Sequence, residues 1–177
     1  MASIDQFEAQ LLGGGPRANR FRVFIPRSGD KIEFLCQSAQ IPAAQVGVVE
    51  QQFRGHVLKL AGDRTFEPWT VTIINDTDFI IRDAMEKWSN SINDLQTAQG
   101  TISPEVYQRS AQVKQLSREG TNPGDPEKVL RMYNFEGIYP NTVSNIPLDF
   151  GATDQIEEFQ VTFNYLFYEV SSPTGNF

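Results

Sequence analysis

The stretch from Asp154 to Val170 limits what this chain can fold into more than any other part of the sequence. Apolar side chains stand at every second position, with polar ones between them, at Phe159, Val161, Phe163, Tyr165 and Phe167. This alternation predicts a β-strand with those five residues in a core and the opposite face in water. An extended chain from Ile156 to Val170 spans roughly 50 Å, whereas most strands have about 3–10 residues. The strand is therefore long, bent, or shared between two sheets.

Alternating apolar residues also predict strands along most of the remaining chain. Arg20 to Pro26 alternates and ends at a proline, and Ile32 to Pro42 follows a turn at residues 28–30 with the opposite parity. We expect these two segments to pair as an antiparallel hairpin, with the Cys36 thiol buried and unreactive on its apolar face. Three further strands are predicted at residues 65–75, 111–118 and 128–139.

One segment changes to a period of three and four residues, which indicates an amphipathic helix from about Asp78 to Asn93. Its N-cap is expected among residues 76–78, where acids suit the positive end of the helix dipole. Capping explains Asp76 and Asp78 better than metal binding, since no further carboxylates complete a cation loop. The apolar positions of this helix are Ile81, Ala84, Met85, Trp88, Ile92 and Leu95.

Strands dominate both ends of the chain, with one helix and no internal repeat. We therefore expect a mainly β protein, an antiparallel β-sandwich or barrel with one packed α-helix. The 177 residues suit a single domain, 1–177, with a loop over much of residues 96–127. The Gly-Gly-Gly-Pro sequence at 13–16 marks off a flexible N-terminal arm of about residues 1–16, and a C-terminal tail is expected at about 171–177.

The sequence lacks the residue patterns that catalysis and metal binding need. One cysteine and one histidine, Cys36 and His56, exclude an internal disulfide and make a metal site a poor interpretation. Glu157 and Glu158 are adjacent on a strand, so their carboxylates point to opposite faces and cannot share one acid–base site. We therefore expect no enzyme activity, no cofactor and no metal.

Charge and hydropathy argue against two further classes. The net charge of −7 makes the chain a poor candidate for gripping nucleic acid, which needs a basic patch. No run approaches the ~20 apolar residues of a membrane-spanning helix, and no secretory signal is visible in the first residues. We expect a protein that folds in a cytosol and does not contact a membrane.

Six segments, taken together and in order, carry a resemblance to a known family. They are residues 20–26 (RFRVFIP), 34–42 (FLCQSAQIP), Asn75-Asp76 leading into the Trp88 helix, 113–116 (VKQL), 133–140 (YNFEGIYP) and 159–165 (FQVTFNY). This set resembles the tail tube proteins of contractile-tailed, myovirus-type bacteriophages over about residues 16–170.

The resemblance implies a structural virion protein, made in the host cytoplasm and located in the tail tube. Its six-membered rings would stack into a hollow inner tube whose wall is a continuous β-barrel. Viral DNA would pass through the lumen without specific binding. The implied partners are further copies of the chain and the tail sheath, baseplate and tail-terminator proteins. The polar helix face with Asp83, Lys87 and Asn90 is then expected to be available to the sheath.

The polar face of the long strand is expected to line such a lumen. No Lys or Arg occurs from Asp154 to Val170, and a wall without cations would not hold DNA through its phosphates. The alternative is an ordinary solvated sheet face. The expected lumen-facing residues are Glu158, Gln160, Thr162, Asn164, Thr70 and Thr72.

Contacts between stacked rings are expected from segments that are apolar without a clean strand period. One is Val46 to Ala61, in which Gly55 is a hairpin tip or a bulge. The other is the N-terminal arm, for which a frayed terminus is the alternative. The expected contact residues are Val48, Val49, Phe53, Val57, Leu58, Ile4, Phe7 and Leu11.

Two other functions remain open from the sequence. The first alternative is the inner tube protein of a phage-like bacteriocin, a contractile injection system or a type VI secretion system, with protein cargo or none in place of DNA. The second is a ligand-binding β-sandwich, which gives the same strand pattern but should not form rings or tubes.

Overall fold

Strands form most of the chain, and the core lies between two of the sheets that they build. The computed structural model describes Ile4 and residues 15–29, 31–117, 128–172 and 175–176. Ten strands and three helices lie wholly within these ranges. They are β1 Phe21–Phe24, α1 Ile32–Leu35, β2 Cys36–Ala39, β3 Ala44–Phe53, β4 His56–Phe66, β5 Trp69–Ile74, α2 Ile80–Ile92, α3 Pro104–Tyr107, β6 Arg109–Leu116, β7 Val129–Val143, β8 Glu158–Asn164, β9 Phe167–Ser172 and β10 Gly175–Asn176.

Eight of the strands form one antiparallel hydrogen-bonded network around β7. The N-terminal part of β7 lies between β6 and β9, in a sheet of order β1-β6-β7-β9-β10 that we call sheet I. The C-terminal part of β7 pairs with β8, in a sheet of order β2-β5-β8-β7 that we call sheet II. Among the described residues, strands β3 and β4 pair only with each other. The predicted mainly β, antiparallel fold with one packed helix is confirmed.

Strand β7 passes from sheet I to sheet II at Gly137. The φ of Gly137 is +67°, in the left-handed region that glycine adopts without the steric cost of a Cβ. On the neighbouring strand, Arg109 pairs with Ile138 and Ala111 pairs with Phe135. Two residues of β7 therefore oppose one residue of β6, and this β-bulge bends β7.

The stretch predicted as one long strand is two strands, one in each sheet. β8 ends at Asn164 in sheet II, and β9 begins at Phe167 in sheet I. Of the three possibilities given by its length, sharing between two sheets is the one observed. Phe159, Val161 and Phe163 are buried, as their alternation predicts.

The expected core position of Phe167 is wrong, because the alternation shifts where the chain crosses between the sheets. Phe167 is 43% exposed, whereas Tyr168 and Val170 pack against the core in its place. Tyr165 lies in the crossing and is half-buried, with its ring centroid 5.0 Å from that of Phe135. A single strand would have kept one parity to its end.

Aromatic side chains join the two sheets and the helix. Trp69 of β5 stacks on Phe135 of β7, with 4.4 Å between ring centroids, and lies 5.6 Å from Phe163 of β8. From α2, Trp88 contacts Phe163 at 6.1 Å. The fully buried Trp88 donates its indole N–H to the carbonyl of Tyr107 at 2.8 Å, so its polar atom is paired.

Helix α2 is the predicted amphipathic helix, with each end shifted inward by one or two residues. Ile81, Met85 and Trp88 are buried against the sheets. Leu95 is exposed and lies beyond the helix, so its place on the apolar face is wrong. The helix ends at Ile92 because Asn93 has an extended backbone.

The N-cap expected among residues 76–78 is Phe79 instead, with a φ of +53° and no side-chain capping bond. The carboxylates of Asp76 and Asp78 both contact the Lys31 ammonium in front of α1. The hydrogen bond from Lys31 holds the pKa of Asp76 below its usual value. Asp78 also accepts a hydrogen bond from the N–H of Ile80 at 3.3 Å, so an acid still meets the helix start.

The hairpin predicted from Arg20 to Pro42 does not form. Strand β1 pairs with β6 in sheet I, and β2 pairs with β5 in sheet II, so the two segments belong to different sheets. Between them, α1 turns Ile32 and Leu35 toward the core, while Phe34 is 79% exposed. The alternation that predicted a strand here is therefore accidental.

Replacing Gly137 with alanine should destabilise the fold by about 1–3 kcal/mol. Two costs add, because the backbone has a positive φ and the new Cβ would lie 2.6 Å from Cδ1 and Cγ of Leu166. Urea unfolding of the purified chain measures the change in the free energy of unfolding.

Gly29→Ala is the matched control, since Gly29 has a φ of +70° but no atom within 4 Å of an added Cβ. The double variant Gly137→Ala/Leu166→Ala should lose only as much stability as Gly29→Ala. Equal losses for the two single glycine variants would contradict the close approach of Leu166 to the bend.

Candidate functional site: assembly surfaces

The polar face of sheet II carries all six residues predicted to face a lumen. Across β5 and β8, Thr70 lies opposite Thr162, and their hydroxyl oxygens are 3.3 Å apart. Thr72 lies opposite Gln160 in the same register. The other face of these two strands is the buried core side. Local alternation therefore placed these side chains on one surface correctly.

Side-chain hydrogen bonds fix the two ends of this polar face. Glu158 Oε1 accepts a hydrogen bond from Nε2 of Gln37 in β2 at 2.6 Å. Asn164 Nδ2 donates to the Tyr139 hydroxyl in β7 at 3.4 Å. Sequence patterns gave no signal for Gln37 or Tyr139, since each contact joins strands that are distant along the chain.

The two sheets differ in charge. None of the four strands of sheet II contributes a Lys or Arg, counting β2, β5, β8 and residues 139–143 of β7. Glu158 is their single formal charge. In sheet I, by contrast, Arg22 of β1 lies directly opposite Lys114 of β6. The cation-free surface predicted from one strand therefore extends over a whole sheet.

Sheet II has two edges at which a strand pairs on one side only within the part of the chain that the structure describes. These edges are β2 and residues 139–143 of β7. Backbone N–H and C=O groups along such an edge are a ready template for a further strand. The arrangement allows a second copy to extend the sheet on either side.

Strands β3 and β4 form an almost fully exposed hairpin of 10 and 11 residues. Its tip is Arg54-Gly55, and both residues have a positive φ, 47° and 84°, as a type I′ turn requires. Gly55 is therefore a hairpin tip. A bulge lies nearer the base, where Gly47 opposes Gly62 and Asp63. A Cβ at Gly62 would lie 3.1 Å from the carbonyl carbon of Gly47, so the two backbones approach closely there.

One face of the hairpin, beyond this bulge, is largely apolar. Val49, Phe53 and Leu58 share it, and cross-strand pairing adds Leu60 opposite Val49. All four side chains are exposed. Leu60 lies two residues after Leu58 on the same regular stretch of β4, but the weak alternation of this segment did not single it out in the sequence. We call these four residues the apolar hairpin face.

The opposite face of the hairpin carries the other two residues predicted for ring contact, Val48 and Val57. They share it with the ion pair between Glu50 and Lys59, at 3.5 Å. The predicted contact set is thus divided between an apolar and a mixed face. Of the predicted N-terminal residues, Ile4 is exposed. Phe7 and Leu11 lie outside the described residues.

Aromatic contacts anchor the base of the hairpin to the fold. The Phe66 ring at the end of β4 lies 5.8 Å from that of Tyr165 and 5.7 Å from that of Tyr168. Burial, with smaller contributions from Tyr168 and Glu67, raises the pKa of Tyr165 to about 12. The Tyr165 hydroxyl is therefore neutral at physiological pH. This packing joins the hairpin to the crossing between the sheets.

No described residues form a catalytic or metal-binding arrangement. Burial raises the pKa of the Cys36 thiol to about 12, so it is a poor nucleophile. His56 is exposed beside the hairpin tip. Within the described ranges, no three His, Cys, Asp or Glu side chains are grouped to hold a metal ion. No helix in that part of the chain is long and apolar enough to cross a membrane.

Comparison with known proteins agrees over nearly the whole chain. The family model for the phage tail tube protein matches residues 15–171. Tail tube protein gp19 of Enterobacteria phage T4 is 30% identical over 161 residues, which cover 89% of this chain and 93% of that protein.

Solved structures with a similar fold include assemblies from contractile injection systems. The tube-terminating cap of the anti-feeding prophage has a TM-score of 0.63 and 16% identity, covering 89% of this chain and 91% of that one. A chain of the PVC sheath–tube complex in its extended state has a TM-score of 0.59 and 16% identity, covering 97% and 99%. These likenesses concern the fold alone. The family match and the 30% identity show that this chain belongs to the phage tail tube protein family and is a structural protein, not an enzyme.

Proposed function

We propose that copies of this chain form six-membered rings that stack into the hollow inner tube of a contractile phage tail. The observation that carries this proposal is sheet II, which combines a cation-free polar face with an edge on each side. Pairing of β2 in one copy with residues 139–143 of β7 in the next would complete both edges. Membership of the tail tube family supports this arrangement.

The dimensions of such a wall suit a DNA conduit. Each copy contributes the four strands of sheet II, so six copies give 24 strands. At about 4.8 Å between neighbouring strands, the wall would be roughly 115 Å around and about 37 Å across between backbones. Tilted strands make a barrel wider than this. A DNA duplex then fits inside the ring of side chains.

The polar face of sheet II would turn toward this lumen, with its six predicted residues exposed to the passing DNA. Lys or Arg on the wall would hold phosphates through counterion release. A wall with Glu158 as its formal charge repels them weakly, within a screening length of about 8 Å at physiological salt. DNA could then slide without being bound.

The remaining surfaces are assigned to stacking and to the partners of the tube. We place the ring-to-ring contact on the apolar hairpin face and on the N-terminal arm, including Phe7 and Leu11. Asp83 and Lys87, exposed on α2 with 3.7 Å between their charged groups, would face the sheath with Asn90. Baseplate and tail-terminator proteins would contact the end rings. The chain would be made in the host cytoplasm and reside in the virion.

An inner tube of a bacteriocin or contractile injection system remains the second candidate function. It is favoured by the similar fold of the injection-system structures. The 30% identity to a phage tail tube protein supports the phage assignment over it. A ligand-binding β-sandwich receives no support from the family.

Native mass spectrometry and electron microscopy of the purified chain test the proposed assembly. We expect a species of six copies and, at higher concentration, hollow tubes with a lumen bounded by sheet II. A chain that stays monomeric at all concentrations, or rings with another number of copies, would contradict the proposal.

Introducing charge on the apolar hairpin face should block stacking. Leu58→Glu is expected to leave six-membered rings that fail to form tubes in the electron microscope, because a carboxylate would be buried between rings. Val57→Glu is the matched control, since this neighbouring residue is equally exposed but lies on the opposite face beside Lys59. Tubes of normal length from Leu58→Glu would contradict the assignment of stacking to the apolar hairpin face. So would a loss of tubes in Val57→Glu alone.

Placing a cation in the lumen should make the tube retain DNA. Gln160→Lys tubes are expected to bind a short fluorescent duplex at low salt and to release it as salt rises, whereas Gln160→Glu tubes should not bind it. We choose Gln160 because Glu158 also accepts a hydrogen bond from Gln37. Cryo-electron microscopy should show the duplex inside the tube. Duplex density on the outer surface alone would refute the lumen assignment.

A further inference from the structure

The connection between β7 and β8, residues 144–157, presents an apolar and acidic surface to solvent. Leu148, Phe150 and Ile156 are all exposed, and Phe150 has a relative exposure of 110%, as in an extended chain. The connection contains Asp149, Asp154 and Glu157 and no Lys or Arg, so its formal charge is −3. Large apolar side chains rimmed by charge are typical of a protein contact site. We call this segment the acidic loop.

A cleft of complementary character lies between β1 and the α1–β2 segment. It has a volume of about 620 Å³ and is lined by Phe34, Cys36 and Leu116, by Arg20 and Arg22, and by Glu33, whose carboxylate forms an ion pair with Arg22 at 2.8 Å. Residues 15–24, which lead into and form β1, contain three arginines and no acid, a formal charge of +3. We call this the basic cleft.

The acidic loop and the basic cleft lie at opposite edges of sheet II but at the same end of its strands. Cys36 at the start of β2 lies opposite Ile73, and Phe159 near the start of β8 lies opposite the same residue. The loop enters β8 at this level, where the carbonyl of Glu157 accepts a hydrogen bond from the N–H of Asn75 at 2.8 Å. Loop and cleft are therefore separated by the width of the sheet.

This placement suits a closed ring. A ring of identical copies joins one edge of each subunit to the opposite edge of the next, so two different surfaces must match at the same height. The acidic loop joins the ends of β7 and β8 at the β7 edge, and the basic cleft lies at the β2 edge. Their net charges are opposite in sign, since residues 15–24 together with Glu33 carry +2 and the loop carries −3, and both present apolar side chains.

We propose that the acidic loop of each copy packs into the basic cleft of the next copy around the ring. Phe150 enters the cleft beside Phe34, and the loop carboxylates face Arg20 and the ion pair that Arg22 forms with Glu33 of its own chain. The occupant of the cleft is thus a second copy of this chain. The contact rests on the proposed ring and specifies which side chains close it, in addition to the backbone pairing of the sheet edges.

Cysteine cross-linking tests the contact in assembled protein. Phe34→Cys and Phe150→Cys are combined in a Cys36→Ser background and treated with a short bis-maleimide. Denaturing gels are expected to show a ladder of linked chains up to six copies. Phe34→Cys with Ile102→Cys is the matched control. Ile102 is exposed and follows the C-terminal end of α2, outside both proposed surfaces, so this pair should give no ladder. Rings or tubes that form without a ladder from the first pair would overturn this contact while leaving the ring proposal intact.

A second measurement does not depend on cross-linking. Phe150→Ala removes an exposed side chain, so its urea unfolding should be unchanged, while the concentration needed for half-maximal ring formation should rise at least about tenfold. Leu95→Ala, at an equally exposed leucine outside both surfaces, should leave that concentration unchanged. Equal behaviour of the two variants would overturn the contact. Failure of the unaltered chain to form rings would refute the ring proposal itself.

Discussion

The bend of β7 at Gly137 is the constraint on which the rest of the structure depends. A single strand enters both sheets, so the sheets must face each other and enclose a core between them. The second crossing, between β8 and β9, meets the first at the same level, where the N–H of Leu166 donates to the carbonyl of Glu136 at 3.0 Å. The stacking of Trp69 on Phe135 follows, because it joins a residue of sheet II to one on the sheet I side of the bend. A bulge and a glycine thereby set the geometry of the fold.

Local patterns predicted the parts of this fold that depend on local burial. The alternation in β5 and β8 and the three-four period of α2 report which side chains face the core, and these predictions hold at Trp69, Phe163 and Trp88. Strand partners could not be predicted, because pairing depends on residues far along the chain. Phase shifts were missed for another reason. At Tyr165 the backbone changes parity without any change in residue type, and at the hairpin bulge the change is marked by the glycines Gly47 and Gly62 alone.

The assembly surfaces show the same difference between features set by local pattern and features set by contacts between distant strands. The polar face of sheet II is visible in the alternation of β5 and β8, so its six residues were identified before the fold was known. Gln37 was not, since it joins this face through a contact between distant strands. On the hairpin, Leu60 was missed because the alternation of that segment is weak. The apolar residues of the acidic loop follow no regular spacing in the sequence. Its exposure became evident only when β7 and β8 were placed side by side with the loop projecting beyond them.

The edges of sheet II are too limited to drive assembly by backbone pairing alone. β2 has four residues and an irregular register between Cys36 and Ser38. At the other edge, Pro140 has no N–H to donate. Short, interrupted edges of this kind keep free subunits from adding strands indiscriminately. Net repulsion between chains of charge −7 also opposes unselective association of free subunits. A subunit with such edges needs side-chain contacts to select its neighbour, and we propose that the acidic loop and the basic cleft at the two edges provide them.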